Sequence, residues 1–244
     1  MNRLEHLQEF KTVLANYRIS PASQRILQQT NLVLLAAPTL AGRNTIIREL
    51  LKTGDYHYIV SDTTRQPRIN DGIPEQNGVE YWFRSEADIL KDLAAGQYVE
   101  AAIIHNQQVS GISIRELKKA RDEGKIAVTD IEIVGTRHIV AAKPDTIVIF
   151  VLPPNLKEWL RRLKHRGELS QAEIRRRLQS AANEFAEALK HTYYTFVVND
   201  DVLKAAKKIQ QIAKFGQKNP VAEKHGRAIA EQLYLDTQAF LKTL

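Results

Sequence analysis

Two short stretches of this 244-residue chain hold side chains whose types and spacing suit phosphate chemistry. The first is Ala37-Pro38-Thr39-Leu40-Ala41-Gly42-Arg43-Asn44-Thr45, placed between the apolar run Leu32-Val33-Leu34-Leu35-Ala36 and the helical pattern IIRELLK. A tight turn from a buried strand into a helix can surround a phosphate with backbone N–H groups, and the helix N-terminus adds its dipole. Against the pattern G-x-x-x-x-G-K-[ST], only the second glycine, Gly42, is kept. Arg43 stands at the lysine, and Asn44 at the hydroxyl that binds magnesium. Read alone, the segment is equally an ordinary strand–helix turn. The second stretch is Thr63-Thr64-Arg65-Gln66-Pro67-Arg68, whose two guanidinium forks suit a dianion. Taken singly, such arginines are most often solvated surface.

The charge distribution adds a third region. The chain carries 35 Lys/Arg against 28 Asp/Glu, a formal charge of +7 that favours anionic partners. Residues 161–177 hold seven Lys/Arg against two Glu, and residues 202–244 hold eight against three acids, so each has a local excess of +5. The remainder is slightly acidic, so the positive charge is concentrated. The first basic stretch calls for a local explanation, although Arg175 and Arg176 also fit a solvated helix face. The second has few aromatics and no base-stacking pattern, which argues against nucleic acid as its partner. Cysteine is absent, excluding disulfides, thiolate zinc sites and a cysteine nucleophile. The seven histidines show no paired metal-ligand spacing. No apolar run approaches the roughly 20 residues needed to span a bilayer. The charged N-terminus does not read as a secretory signal. The expectation is a cytoplasmic protein without a membrane segment.

The elements that must position these groups follow from periodicity. Leu4, Leu7, Phe10, Leu14 and Tyr17 lie on one helical face, and Ser20-Pro21 predicts a second short helix to about Gln29. Short apolar runs predict buried strands at Leu32–Ala36, Tyr56–Val60, Tyr98–Ile104, Ile126–Ile131, Thr146–Leu152 and Thr195–Val198. Helices alternate with them. Ser85…Asp88 and Ser113…Glu116 fit the capping box, with Gly96 and Gly124 closing those helices. One long basic helical stretch is expected from about Asn155, and a terminal helix over 221–242 after Asn219-Pro220. This alternation implies an α/β fold around a mostly parallel sheet, with ligands beyond the carboxyl ends of the strands.

The succession VSDTTRQPR, GVEYWF, YVEAA, DIEIVGTR, VIFVLPP, RLKHRG, RRRL and FVVNDD resembles the guanylate kinase family from about Asn31 to Ile212. The resemblance implies a three-layer P-loop nucleoside-monophosphate-kinase fold with extra helices at both ends. It divides the chain into an N-terminal helical extension (1–30), a kinase-like domain (31–215) and a C-terminal helical extension (216–244). Within the domain it implies a GMP-binding insertion at about 62–110 and a lid at about 160–178.

It further implies an ATP site built from Ala37, Thr39, Ala41, Gly42, Arg43, Asn44, Thr45 and Asn199, with Mg²⁺ near Asn44 and Thr45. Arg43, Arg162, Arg166 and Arg177 would be the catalytic cations. On the GMP side, Arg65, Arg68 and Tyr81 match the phosphate holders, and Ser61 and Glu100 match the guanine readers. Ser110 stands where the family has a second tyrosine, and Glu132 replaces its aspartate. The loop between Arg68 and Tyr81 is four residues longer than the family's. Two functions stay open on these residues. One is transfer of a phosphoryl group from ATP to GMP or dGMP. The other is a guanylate-kinase-like module that recognises GMP or a phosphorylated ligand without transfer, as the altered loop would allow. The terminal helices could pack on the domain or pair two copies of the chain.

Overall fold

The computed structural model describes residues 4–70, 72–165, 170–217 and 219–244. The chain runs through α1 (Leu7–Ala15), α2 (Pro21–Gln29), β1 (Leu32–Ala36), α3 (Arg43–Leu51) and β2 (Tyr56–Tyr58). Four short strands follow: β3 (Asp62–Thr63), β4 (Ile69–Asn70), β5 (Ile73–Pro74) and β6 (Trp82–Phe83). Next come α4 (Glu86–Ala94), β7 (Tyr98–Ile104), β8 (Gln108–Ser113), α5 (Ile114–Asp122), β9 (Ile126–Asp130) and α6 (Ile133–Ala142). The last part holds β10 (Ile147–Leu152), α7 (Leu156–His165), α8 (Gln171–Lys190), β11 (Tyr194–Val198), α9 (Val202–Phe215) and α10 (Pro220–Leu241).

The fold is α/β with a mostly parallel main sheet, as the alternation predicts. The described residues form two compact units. One comprises the N-terminal segment as far as Asn31, with His57–Ala127 and His138–Pro144; the other comprises Leu32–Tyr56, Val128–Arg137 and the described part of Asp145–Leu244. The second unit carries the main sheet, in the order β11-β10-β1-β9-β2, and the unit boundaries fall within β2 and β9. β1 pairs parallel to β10 from Val33↔Ile147 to Ala36↔Phe150, and β10 pairs parallel to β11 from Val148↔Tyr194 to Leu152↔Val198. All five residues of β1 are buried, so the continuous apolar run reports a strand covered on both faces. Phe150 anchors this core, with Tyr194 edge-on at 5.7 Å and Phe185 and Phe196 tilted against it.

The basic stretch expected as one helix is two. Asn155 Oδ1 accepts from the Glu158 N–H at 2.8 Å to start α7, and Ser170 Oγ accepts from the Glu173 N–H at 3.2 Å to start α8. The second cap is what divides them: a serine side chain satisfying an orphan amide begins a helix afresh. Arg166 lies outside the described residues.

In the first unit, the sheet order is β6-β3-β8-β7, with β4 and β5 forming a separate antiparallel pair. β7 falls where the sequence predicts a strand, whereas β8, its hairpin partner, has no counterpart among the expected strands. Its turn holds His105 at φ 51° and Asn106 at φ 57°, and asparagine tolerates this left-handed region better than most residues. At Ser85 the N-cap half of the capping box forms, with Ser85 Oγ accepting from the Asp88 N–H. At Ser113 the hydroxyl accepts from the Arg115 N–H at 3.3 Å, one residue short of the expected Glu116 N–H. Glu116 is 3% exposed and serves His57, the Val60 N–H and Trp82 instead.

The N-terminal helix belongs to the core of this unit. Leu4 and Phe10 cluster with Ile89, Leu93, Tyr98 and Val109, and Phe10 is fully buried. Tyr17 Oη donates to the Tyr98 carbonyl at 2.6 Å and accepts from the Tyr98 N–H at 2.8 Å, so a side chain covers one residue of the β7 edge. Among the described residues, no helix is long and apolar enough to cross a membrane. Removing the Phe10 ring would open a cavity in this cluster, so Phe10→Ala is expected to cost about 3–5 kcal/mol in urea denaturation. The exposed Val134→Ala is expected to stay within about 0.5 kcal/mol.

Candidate functional site

The second unit presents the phosphate-type turn at the carboxyl end of β1. Leu40 has φ 63° and Gly42 has φ 101°. Gly42 is required twice over: its conformation is left-handed, and a Cβ there would collide with the Asn199 Nδ2. Leu40 takes a left-handed backbone without that freedom, a strain of about 1–2 kcal/mol that the surrounding structure must hold.

Several donors hold it by drawing the loop carbonyls outward. Asn199 Nδ2 donates to the Ala41 carbonyl at 2.7 Å, and Trp159 Nε1 donates to the Thr39 carbonyl at 2.8 Å. Arg162 donates to the Ala41 carbonyl at 3.4 Å and to the Asn199 carbonyl at 3.0 Å. Glu158 orients that guanidinium by accepting from its Nε at 2.9 Å. The Glu158 carboxyl is held down to about 2 by hydrogen bonds from Arg161 and Arg162. Trp159 is itself fully buried, edge-on to Phe185.

The amides are left over. Among the described residues, the N–H groups of Gly42, Arg43, Asn44 and Thr45 have no protein acceptor, while Ile46 N–H already closes onto the Gly42 carbonyl. Four unclaimed donors at a helix N-terminus can take an anion. The side chains of Asn44 and Thr45 are likewise engaged by no described residue.

Beside the turn lies a cleft of about 520 Å³ whose lining includes Ala37, Thr39, Arg43, Glu132, Arg137 and Glu184. Arg43 reaches across to donate to the Ile131 carbonyl at 3.3 Å. Leu40 does not fill the cleft. Burial raises the Glu184 carboxyl above its ordinary value, against the pull of the Ser180 hydroxyl and the Arg43 charge. Glu184 was not legible as a site residue, since nothing marks it apart from the other acids of an amphipathic helix. Arg177, on α8, is engaged locally by Glu173 at 2.6 Å. Thus Ala37, Thr39, Arg43 and Glu132 share one cleft, while Ala41 and Asn199 support its loop. Arg162 serves the loop rather than facing the cleft, and Arg177 is not among the cleft's lining residues.

The other expected residues, Ser61, Arg65, Arg68, Tyr81, Glu100 and Ser110, lie in the first unit. Arg65 and Arg68 line a pocket of about 890 Å³ together with Arg84, His6 and Glu86. Ser61, Tyr81, Glu100 and Ser110 do not line it. Tyr81 instead lies under the Arg65 guanidinium, 4.7 Å from ring centroid to Cζ, and Ser110 Oγ bonds the Thr63 hydroxyl at 3.0 Å. Ser61 gives its carbonyl to the Trp82 N–H, and Glu100 pairs in register with Ile112.

Sequence reasoning missed Glu75. It clamps Arg65 through two bonds of 2.5 and 2.9 Å and accepts from the Arg68 N–H at 2.8 Å. Its hydrogen bonding raises the Arg65 guanidinium above the ordinary value. A further bond joins Arg65 to the Gln66 carbonyl at 2.9 Å, so both of its Nη1 hydrogens are engaged. Acid spacing inside a lengthened loop gives no signal of such a pair.

Two outcomes follow. Trp159→Phe strands the Thr39 carbonyl and, being smaller, leaves a void at a fully buried position; it is expected to cost about 2–4 kcal/mol and to speed hydrogen exchange at the loop amides. For Glu184, a raised folded value means that the ionised carboxylate lowers stability above the unfolded value of about 4.3, and that this loss fades as pH falls. Glu184→Gln is therefore expected to raise Tm at about pH 7.5, with the gain vanishing below about pH 4.

The chain is similar to known proteins over most of its length. The guanylate kinase family model matches residues 29–214. The chain is 34% identical over 183 residues to a guanylate kinase of Corynebacterium diphtheriae, covering 74% of this chain and 93% of that one. It is 35% identical over 186 residues to a guanylate kinase of Trichormus variabilis, covering 76% and 89%. A crystal structure of guanylate kinase from Anaplasma phagocytophilum shares the fold, with a TM-score of 0.56 at 24% identity over 78% of this chain and 87% of that one. With three-quarters of its length matched, its parallel sheet and its strand–turn–helix in place, the chain belongs to the guanylate kinase family.

Proposed function

We propose that the chain is an ATP-dependent guanylate kinase that moves the γ-phosphoryl group of ATP onto GMP or dGMP in the cytoplasm. The observation that carries this reading is the set of unclaimed amides from Gly42 to Thr45 with Arg43 beside them. In this reading, those amides hold the β-phosphate of ATP, and Arg43 supplies the cation that the family takes from lysine. Arginine is planar and wide where lysine is a point charge, so it bridges two oxygens rather than capping one.

Asn44 and Thr45 offer neutral, unengaged oxygens at the start of α3. That donor set fits Mg²⁺, which takes most of its six ligands from water and phosphate. When bound, Mg²⁺ supplies charge neutralisation on the β and γ oxygens. Arg162 is the positioning residue for the loop, through the Ala41 and Asn199 carbonyls. Arg166 and Arg177 are the lid cations.

On the acceptor side, Arg65, Arg68 and Tyr81 hold the GMP phosphate, Ser110 adds a hydroxyl, and Ser61 and Glu100 read the guanine edge. A GMP phosphate oxygen attacks the γ-phosphorus, forming one P–O bond as the bond to the β,γ-bridging oxygen breaks. ADP leaves carrying the electron pair. Such a transfer needs little covalent help and much positioning and charge, which is what these residue types provide.

The test is coupled ADP release with ATP, Mg²⁺ and GMP. Arg43→Ala is expected to lower kcat/KM by about 10²–10³, the loss of one electrostatic stabiliser, with Arg43→Lys retaining more. Arg65→Ala is expected to weaken GMP binding by about 1.5–3 kcal/mol in calorimetry. GMP binding without any ADP release would make the chain a phosphate-recognising module instead.

A further inference from the structure

A second group of cations sits on α9. Lys204, Lys207, Lys208 and Gln211 fall at i, i+3, i+4 and i+7, on one helical face. They line a pocket of about 390 Å³ whose opposite wall is the start of α10, with Asn219 and Glu223. α10 can stand this close to the sheet because of Gly226, where a Cβ would come within 2.7 Å of the Phe196 carbonyl oxygen on β11. α10 follows the family-matched residues, so this wall is an addition to the family's domain.

The lysine face is unfavourable as it stands. Among the described residues, none of the three ammonium groups makes an ion pair or a hydrogen bond; Glu223, the pocket's one carboxylate, acts on Lys208 only from beyond ion-pair distance. Like charges three and four residues apart repel. Lys204 lies in the first turn of α9, where the helix dipole opposes positive charge. Lys208 is half-buried, and that burial pushes its ammonium below the ordinary lysine value. An ammonium drawn partly out of water without a partner raises the free energy of the folded chain, and a bound anion offsets it.

We propose that this pocket is a second phosphate-recognition site, distinct from the cleft at Arg43, which takes an oligophosphate: inorganic pyrophosphate or the phosphate tail of a nucleotide. Three ammoniums against one carboxylate leave a net positive pocket. Adjacent phosphoryl groups present enough oxygens to engage all three cations, where a monoanion engages one. Gln211 and Asn219 supply neutral polar groups at the rim.

Lysine chemistry tests it cleanly, because no lysine lines the cleft at Arg43. Acetylation of the full chain by a water-soluble succinimidyl ester, read peptide by peptide by mass spectrometry, reports this pocket alone. With pyrophosphate present, labelling of Lys204, Lys207 and Lys208 is expected to slow about fivefold or more, while Lys11 on α1 labels as before. Sodium chloride at matched ionic strength should not reproduce the effect. Lys208→Gln should abolish the protection of Lys204 and Lys207, and protection should persist in Arg43→Ala. An arm with ADP and an arm with pyrophosphate separate the two sources by which protects at the lower concentration. Equal labelling with and without both compounds would overturn the proposal. So would protection by chloride, equal protection of Lys11, or protection by a short DNA duplex but by neither phosphate compound.

Discussion

The carbonyl oxygen of Ala41 cannot point toward a phosphate without repelling it, and drawing it outward is the constraint on which the second unit is organised. Asn199, at the end of β11, takes that oxygen through its amide nitrogen, and Arg162 reaches it from α7. The position of Asn199 then forbids any side chain on Gly42, and the outward carbonyl requires a left-handed backbone nearby, which Leu40 adopts. The arrangement has a defect. With its amide nitrogen committed to Ala41, the buried Asn199 Oδ1 has no partner among the described residues, a loss of about 1–3 kcal/mol accepted to hold the loop.

The first unit is organised around a buried negative charge. Asp62, wholly buried, receives Arg115 at 2.7 Å, Arg84 at 3.3 Å and the Tyr98 hydroxyl at 2.6 Å. Burial and that carboxylate together push the Tyr98 phenol far above its ordinary value, so it remains a donor. Arg65 and Glu75 repeat the pattern next along the chain. In each case a carboxylate fixes the guanidinium before any ligand arrives, which preserves geometry at the expense of free donors.

What the sequence made legible were features whose physics is local. Continuous apolar runs marked β1, β10 and β11 because a strand covered on both faces has no polar period. Ser20, Ser85 and Ser170 all cap helices, yet only the first two were read, since Ser170 sits within a basic tract that looks uniformly helical. The strand–turn–helix around Gly42 was readable, although only one glycine of the pattern remains, because its neighbours hold their own periodicities. Glu75, Glu116 and Trp159 were not readable. Their partners lie 10, 59 and 120 positions away for Arg65, His57 and Thr39, and no pattern of residue types records such pairings. Trp159 is the clearest case: on a helical wheel it is a core residue, and its indole N–H finds the loop only through the fold.

Tyr17 shows where the edge of shared ancestry and the edge of autonomous folding part company. The family match begins at residue 29, but β7, an edge strand of its sheet, has Tyr98 covered by the hydroxyl of Tyr17, and Phe10 fills the cluster behind it. A fragment trimmed to the matching residues would carry every expected nucleotide contact and still present an uncovered strand edge beside an open apolar face. Two such fragments would each offer the other a template for strand pairing. The leading segment thus completes the sheet edge and core of the unit it belongs to, and fragment design for this chain should begin from its folding boundary rather than its family one.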